Sequence, residues 1–124
     1  MSEQKFNFEK FDIYQKSIKF ANAIFILTKK YPKSEQFGLC SQLRRASMSI
    51  SFNLAEGFCN HYKKEKIHYY RIAKGSIHEC IPGLELSLYQ EFINKEEYKE
   101  MYNECFDLSR MISGLIKTIE NRNQ

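Results

Sequence analysis

The sequence predicts an all-α protein, an antiparallel up-down-up-down four-helix bundle with helices at about 9–30, 35–60, 63–91 and 94–121. Three observations predict it. Apolar residues recur at spacings of three and four through each stretch, as in helices with a buried face. The connections are a few residues long, so successive helices must run in opposite directions. The length of 124 residues suits one domain, 1–124, with a single core.

The first helix is predicted to end ahead of Pro32, because proline disfavours helical geometry in the residue before it. Ser34 is then the expected cap of the second helix. The inward positions of the first helix are Phe11, Tyr14, Ile18, Ala21, Phe25 and Thr28, widened by Ile24 and Leu27.

The second helix carries two apolar faces, where a surface helix of a monomer carries one. Its core face comprises Leu39, Leu43, Ala46, Ile50, Leu54, Gly57 and Phe58. The far side holds Met48, Phe52, Ala55 and Cys59, within an arc of about 60° on a helical wheel. A monomeric bundle should present polar groups to water there, so this second face predicts contact with another subunit.

A polar stripe separates these two faces and comprises Gln42, Arg45, Ser49 and Glu56, with Asn53 at its border. Asn53 falls at a core position of the helical repeat and is predicted to be buried, where its amide would fix register and partner choice. Two interpretations stay open. The stripe packs against another subunit with the second apolar face, or it is a helix edge in water.

Gly57 and Gly75 stand inside helical stretches, where glycine costs about 1 kcal/mol relative to alanine. Close approach of a neighbouring helix would explain both. Neither has the spacing of a phosphate-binding loop, so no nucleotide site is predicted.

The third helix contains Pro82, which removes the hydrogen bond to the carbonyl of His78, so a kink or a full break is expected. Asn94 followed by Glu97 predicts a capping box at the start of the fourth helix. The inward stripe of the third helix is Tyr70, Ala73, Ile77, Ile81, Leu84 and Leu88. That of the fourth is Tyr98, Met101, Cys105, Leu108, Ile112, Leu115 and Ile119.

We predict no catalytic, metal or cofactor site. The run 65–68 is a single E-x-x-H, whereas di-iron bundles use two copies and two further glutamates. His78 and Glu79 point about 100° apart on one helix and form no acid–base pair by themselves. The cysteines stand about 20 residues apart without a C-x-x-C pair, which indicates buried thiols: Cys40, Cys59, Cys80 and Cys105.

The N-terminal residues are polar where a signal peptide would be apolar. No uncharged run approaches the roughly 20 residues of a membrane span. We therefore expect a cytoplasmic protein without membrane contact.

Charge is polarised along the chain, although the net charge is only +4. Residues 61–75 hold five cations against one acid, and residues 91–107 hold six acids against two lysines. Cations interleaved with aromatic rings can hold phosphates and stack bases. The candidate nucleic-acid contacts are Lys63, Lys64, Lys66, Arg71 and Lys74, with the rings His61, Tyr62, His68, Tyr69 and Tyr70. The topology would bring Lys5, Lys10 and Arg122 to the same end.

Three runs together resemble a known family: Gln-Leu-Arg-Arg-Ala at 42–46, Asn-Leu-Ala-Glu-Gly at 53–57 and Ile-Ala-Lys-Gly-Ser at 72–76. It is the family of four-helix-bundle proteins encoded in intervening sequences of bacterial 23S ribosomal RNA genes, which includes the accessory variability protein of diversity-generating retroelements. The resemblance runs nearly end to end. Its motif residues are interpreted as structural or interfacial: Gln42, Arg44, Arg45, Asn53, Glu56, Gly57, Gly75, Ser76 and Glu79.

The resemblance implies a homopentameric ring of bundles around a central channel. For the retroelement accessory proteins it also implies a positive surface that binds nucleic acid and the reverse transcriptase. Pro82 and the modest charge of +4 depart from that pattern. We therefore carry forward a non-enzymatic oligomeric module that binds RNA or DNA, with a protein–protein scaffold as the alternative. An enzyme is the third hypothesis, and the residues do not support it.

Overall fold

The computed structural model describes residues 4–122, and all regular structure in this range is helical. The helices are α1, Asp12–Thr28; α2, Leu39–Cys59; α3, Lys63–Tyr89; and α4, Lys95–Glu120. Two short 3-10 helices, Asn7–Lys10 and Lys33–Glu35, precede α1 and α2. Each α-helix packs beside the next, and α1 also contacts α4. The predicted all-α, four-helix architecture is confirmed.

The helix ends differ from the predicted ones most at α2. Ser34 lies in the second 3-10 helix, and α2 begins only at Leu39, after Gly38 and without a side-chain cap. The predicted Ser34 cap is therefore wrong. Local bonds to the carbonyls of Pro32 and Glu35 keep this segment in tight turns before α2 starts. The start of α4 is as predicted, because Asn94 and Glu97 form a complete capping box there.

The inward seam of α1 is displaced from the predicted one. Ser17 is fully buried, whereas Ile18 is 42% exposed. The Ser17 hydroxyl donates to the carbonyl of Tyr14 over 2.6 Å and lies 2.9 Å from the Ser51 hydroxyl of α2. A polar residue can occupy the core because its hydrogen-bonding groups are satisfied there. The prediction that Ile18 faces inward is wrong, because a pattern of hydrophobic residues cannot indicate that Ser17 and Ser51 pair between helices.

The tightest helix contact joins α2 and α3, and glycine makes it possible. A Cβ added to Gly57 would lie 2.5 Å from Cε1 of Tyr70, and one added to Gly83 would lie 2.7 Å from Cδ2 of Leu43. The predicted close approach therefore holds for Gly57. It is wrong for Gly75, because nothing in the described structure lies within 4 Å of a Cβ built there.

α3 continues through Pro82 as one helix, so the predicted break does not occur. Pro82 and His78 are both exposed. Water can therefore bond the carbonyl of His78, which the proline leaves without its helical partner. Exposure lowers the cost of the lost hydrogen bond and lets the helix persist.

Candidate nucleic-acid interface

Lys66, one of the predicted nucleic-acid contacts, is held against the end of α2. Its ammonium donates to the carbonyls of Gly57 and Phe58, over 3.2 and 2.8 Å. It also lies 5.7 Å from the centre of the Phe58 ring. Burial lowers the pKa of Lys66, and the nearby charge of Arg122 lowers it further. This lysine closes the C-terminal end of a helix, where a positive charge is favoured by the helix dipole.

Lys63 closes the end of α4 in the same way. Its ammonium donates to the carbonyls of Glu120 and Arg122, each over 3.1 Å. Arg71 reaches the same helix end, with Nη2 3.1 Å from Oε2 of Glu120. Three of the five predicted contacts therefore serve the bundle itself. The three-residue connection between α2 and α3 is the sequence signal for the role of Lys66, because it sets the first turn of α3 beside the last turn of α2.

The cations that remain free surround these anchored ones. Lys5, Lys10 and Lys64 are exposed, and no hydrogen bond or ion pair within residues 4–122 engages their side chains. Arg122 is exposed at the end of α4. Lys74 is half-buried and lies about two helical turns beyond Lys66 on α3, away from the end of the bundle that holds Lys63 and Lys66. We call the surface formed by Lys5, Lys10, Lys63, Lys64, Lys66 and Arg122 the basic end.

The aromatic residues of the basic end divide into core and surface groups. Tyr70 is 2% exposed and belongs to the core, where burial raises its pKa to about 12. Tyr62 is 71% exposed, and His61 and His68 are also exposed. Phe6 adds an exposed ring that the sequence reasoning missed. Its only signal was an apolar residue ahead of the first helix.

The second face of α2 is apolar and open, as the sequence pattern requires. Phe52 is 65% exposed, and the neighbouring Ile72 of α3 is 39% exposed. Met48 and Ala55 are half-buried. Cys59 is exposed, which corrects the prediction of four buried thiols. We call the surface around Phe52 and Ile72 the α2–α3 outer face.

The motif residues fall on two sides of α2. Gln42, Arg45, Glu56 and the α3 residue Glu79 are exposed. Within residues 4–122, no ion pair engages the three charged members of this set.

Arg44 points the other way, toward α1. Its Nε donates to the Thr28 hydroxyl over 2.9 Å, and its guanidinium lies 4.9 Å from the Phe25 ring centre. Asn53 is half-buried, which corrects the predicted burial. Its amide donates to the carbonyl and the hydroxyl of Ser49, over 2.8 and 3.1 Å, and Ser76 donates to the same hydroxyl.

Neither a metal-binding cluster nor a membrane-spanning helix is found in the described part of the chain. Residues 4–122 contain no cluster of three or more His, Cys, Asp or Glu placed to hold a metal ion. Nor is any helix in that range both long and apolar enough to cross a membrane. The buried thiol of Cys80 contacts Cys105, and this contact with burial raises the pKa of Cys80, which disfavours a reactive thiolate.

A family model for the 23S rRNA-intervening sequence protein matches residues 9–114. The chain belongs to this family. It is also similar to the crystal structure of a protein of unknown function from the S23 ribosomal protein family of Bacteroides thetaiotaomicron VPI-5482. That similarity has a TM-score of 0.79 at 26% identity and covers 85% of this chain and 98% of the other. No curated protein matches the chain.

Proposed function

We propose that this protein is a non-enzymatic module that binds RNA or DNA through its basic end. The observation that carries the proposal is the gathering of chain-distant cations, from residues 5–10, α3 and the end of α4, on one surface beside exposed aromatic rings. Such a surface holds phosphates electrostatically and can stack bases. Membership of a family named for an intervening sequence of 23S rRNA supports a role close to nucleic acid.

The anchored and the free cations have different parts in this proposal. Lys63 and Lys66 lie fixed at helix ends, where their charges offset the negative ends of the α4 and α2 dipoles, so they add less positive field than the free cations do. Lys5, Lys10 and Lys64 can move to meet phosphates without breaking a bond within residues 4–122. Glu65 and Glu120 also lie near this surface, so we expect moderate and strongly salt-dependent affinity.

The test replaces free cations only, because reversal of Lys63 or Lys66 would also damage the fold. We expect Lys10→Glu/Lys64→Glu to weaken binding to a labelled RNA at low salt. The slope of log affinity against log salt should fall by about one per lysine removed. The matched control is Lys29→Glu/Lys33→Glu at the other end of the bundle, which changes the net charge equally. If the control weakens binding as much as the test variant, the basic end is not the binding surface.

We also propose that the α2–α3 outer face joins copies of this chain, as in the pentameric ring that the family resemblance implies. The exposed Phe52 and Ile72 supply an apolar centre, and Arg45 with Glu56 and Glu79 supplies charges of both signs that are unpaired within residues 4–122. An assembly would repeat the basic end and multiply its field. Phe52→Asp should leave a folded helical monomer in light scattering, with Phe37→Asp at the other end as control. An oligomeric Phe52→Asp protein would rule this face out.

A protein–protein scaffold is the alternative, and one observation favours it. The end of the bundle opposite the basic end holds a cavity of about 890 Å³ between α3 and α4, lined in part by Tyr89, Phe92 and Tyr98. Its charged lining comprises three acids, Glu85, Glu91 and Glu97, against two lysines, Lys30 and Lys95. Aromatic and acidic groups together suit a basic protein segment. Nuclease-resistant capture of one partner, lost with Tyr89→Ala, would favour this alternative, as would the absence of nucleic-acid binding.

A further inference from the structure

The segment ahead of α1 presents a stack of two aromatic rings at the basic end. The rings of Phe6 and Phe8 are nearly parallel, at 17°, with their centres 6.0 Å apart. Phe8 is supported by Tyr14, because the two rings pack at 87° with their centres 5.1 Å apart. The outer ring, Phe6, is 75% exposed. Phe6 therefore presents an exposed ring that rests against Phe8.

The backbone around this pair is held in place by hydrogen bonds. The amide of Glu9 donates to the carbonyl of Phe6 over 3.0 Å, which closes the turn of the first 3-10 helix. Gln15 of α1 donates to the carbonyl of Glu9 over 2.9 Å. The backbone that carries the rings is thus tied to α1, so this segment loses little conformational freedom when a ligand stacks on Phe6.

A groove of about 470 Å³ runs beside these rings. Besides Phe6 and Phe8, the Phe58 ring lines it, and that ring packs at 4.9 Å against Phe11. The groove lies between the segment ahead of α1 and the end of α2. Its remaining lining is polar: Asn7, Cys59, Asn60, His61 and Lys66.

One fixed positive charge borders this groove. The Lys66 ammonium has three donors, and the carbonyls of Gly57 and Phe58 take two, which leaves one. The amides of Asn7 and Asn60 and the imidazole of His61 supply both donors and acceptors at the rim. Planar apolar walls, a polar rim and an adjacent cation together match an unpaired nucleobase with its phosphate.

We infer that this groove binds an unpaired base of a single-stranded nucleic acid, which stacks on Phe6 while nearby lysines hold the flanking phosphates. This inference rests on the proposed function and names its substrate class. Bases inside a duplex are already stacked and cannot reach the ring without being extruded. The groove therefore predicts preference for single strands, whereas charge alone predicts binding of any polyanion.

The test compares a short single-stranded oligo(U) RNA that carries one 2-aminopurine with its duplex on an oligo(A) strand that places uracil opposite the 2-aminopurine. The full-length protein should bind the single strand more tightly than the duplex and quench the 2-aminopurine emission by stacking. Phe6→Ala should weaken single-strand binding about tenfold and remove the quenching, while duplex binding stays unchanged. Phe6→Trp should restore both. Phe37→Ala, which removes a 96% exposed ring at the opposite end, is the matched control and should change nothing.

The possible failures are distinct. If the single strand binds and depends on Lys10 and Lys64, yet Phe6→Ala changes neither affinity nor quenching, the groove inference is overturned and the proposed function stands. If Phe37→Ala weakens binding as much as Phe6→Ala, the effect is not specific to the groove, and the inference falls. If no nucleic acid binds at low salt, the proposed function fails and takes the inference with it. Far-UV circular dichroism confirms that each variant is folded.

Discussion

The two ends of the bundle close their helices by different means. At the basic end, α2 and α4 finish against lysines supplied by α3, with Lys66 on the carbonyls of residues 57 and 58 and Lys63 on those of 120 and 122. At the opposite end the closures of α3 and α4 are local, whereas the last carbonyl of α1, on Thr28, accepts from the Cys40 thiol of α2. Asn94 and Glu97 bond each other's backbone amides over 2.8 and 2.9 Å, and α3 ends in a turn with Glu91 at φ 62°.

The lysines of the basic end do not all have the same role. A position in a basic run does not make a lysine free to bind a ligand. Lys63 and Lys66 donate to the carbonyls at the ends of α4 and α2. The backbone bonds that close the end of α3 and the start of α4 come from within one turn. Stability at the basic end should therefore depend on side chains from other helices, and stability at the opposite end on single turns.

The largest effect is expected at Gly57, in the last turn of α2. Gly57→Ala places a methyl group 2.5 Å from the Tyr70 ring, so the ring or the helix must shift. Overpacking outweighs the gain in helix propensity, and we expect a net loss of about 2 kcal/mol in urea unfolding. Gly75→Ala is the matched control, because its site is open and the same change should stabilise the helix. Equal effects of both variants would remove the claim of close contact.

Lys66→Met comes next, since it keeps the apolar stem and removes the charge. The carbonyls of Gly57 and Phe58 lose a charged donor, and we expect a loss of about 1.5 kcal/mol. Lys64→Met, two residues away and exposed, should leave unfolding unchanged. A Lys64→Met loss that matches the Lys66→Met loss would show that net charge, rather than helix closure, sets stability at this end.

Asn94→Ala tests the local closure of α4 and should cost about 1 kcal/mol, because the amide of Glu97 loses its acceptor. Asn103→Ala, at an exposed position within α4, should be neutral or slightly stabilising. Thermal melting of both variants measures the difference. Unchanged stability of Asn94→Ala would mean that water replaces the cap fully.

Glu91→Gly should stabilise the protein by about 0.5 kcal/mol. Glu91 adopts the left-handed conformation, which strains a residue with a side chain and suits glycine. The amides of Glu91 and Phe92 donate to the carbonyls of Leu88 and Ser87, as in a Schellman turn, and glycine preserves both bonds. Gln90→Gly, one residue earlier and right-handed, is the control and should destabilise.

The smallest effect is a pH dependence at Glu97. Its hydrogen bonds from Lys30 and from the amide of Asn94 lower the pKa of this carboxyl. A lowered folded-state pKa means that the stabilisation is complete above the unfolded value, near 4.5, and is lost as pH falls through the folded value. Wild type should therefore lose more stability than Glu97→Gln on acidification below about pH 5. Parallel curves for the two proteins would contradict this role.

Features that depend on residues close together in the chain were largely predictable from the sequence. The Asn94–Glu97 box, the four helical repeats and the open apolar side of Phe52 all follow from residue spacing. Most of the failures have one cause, because they depend on a neighbouring helix. Ser17 is buried because Ser51 meets it, and Lys66 is anchored because the end of α2 lies beside it. Ser34 fails differently, since tight turns delay the start of α2.

Residue patterns alone predict that this chain is all-helical, has four helices and carries a basic segment and a second helix with two apolar faces. Helical period and turn chemistry act over a few residues, so they are visible in the sequence. Which lysines are free and which close helix ends depends on contacts between helices. The tertiary structure also decided that Phe6 and the end of α2 share a groove, because those contacts join residues about fifty positions apart in the chain.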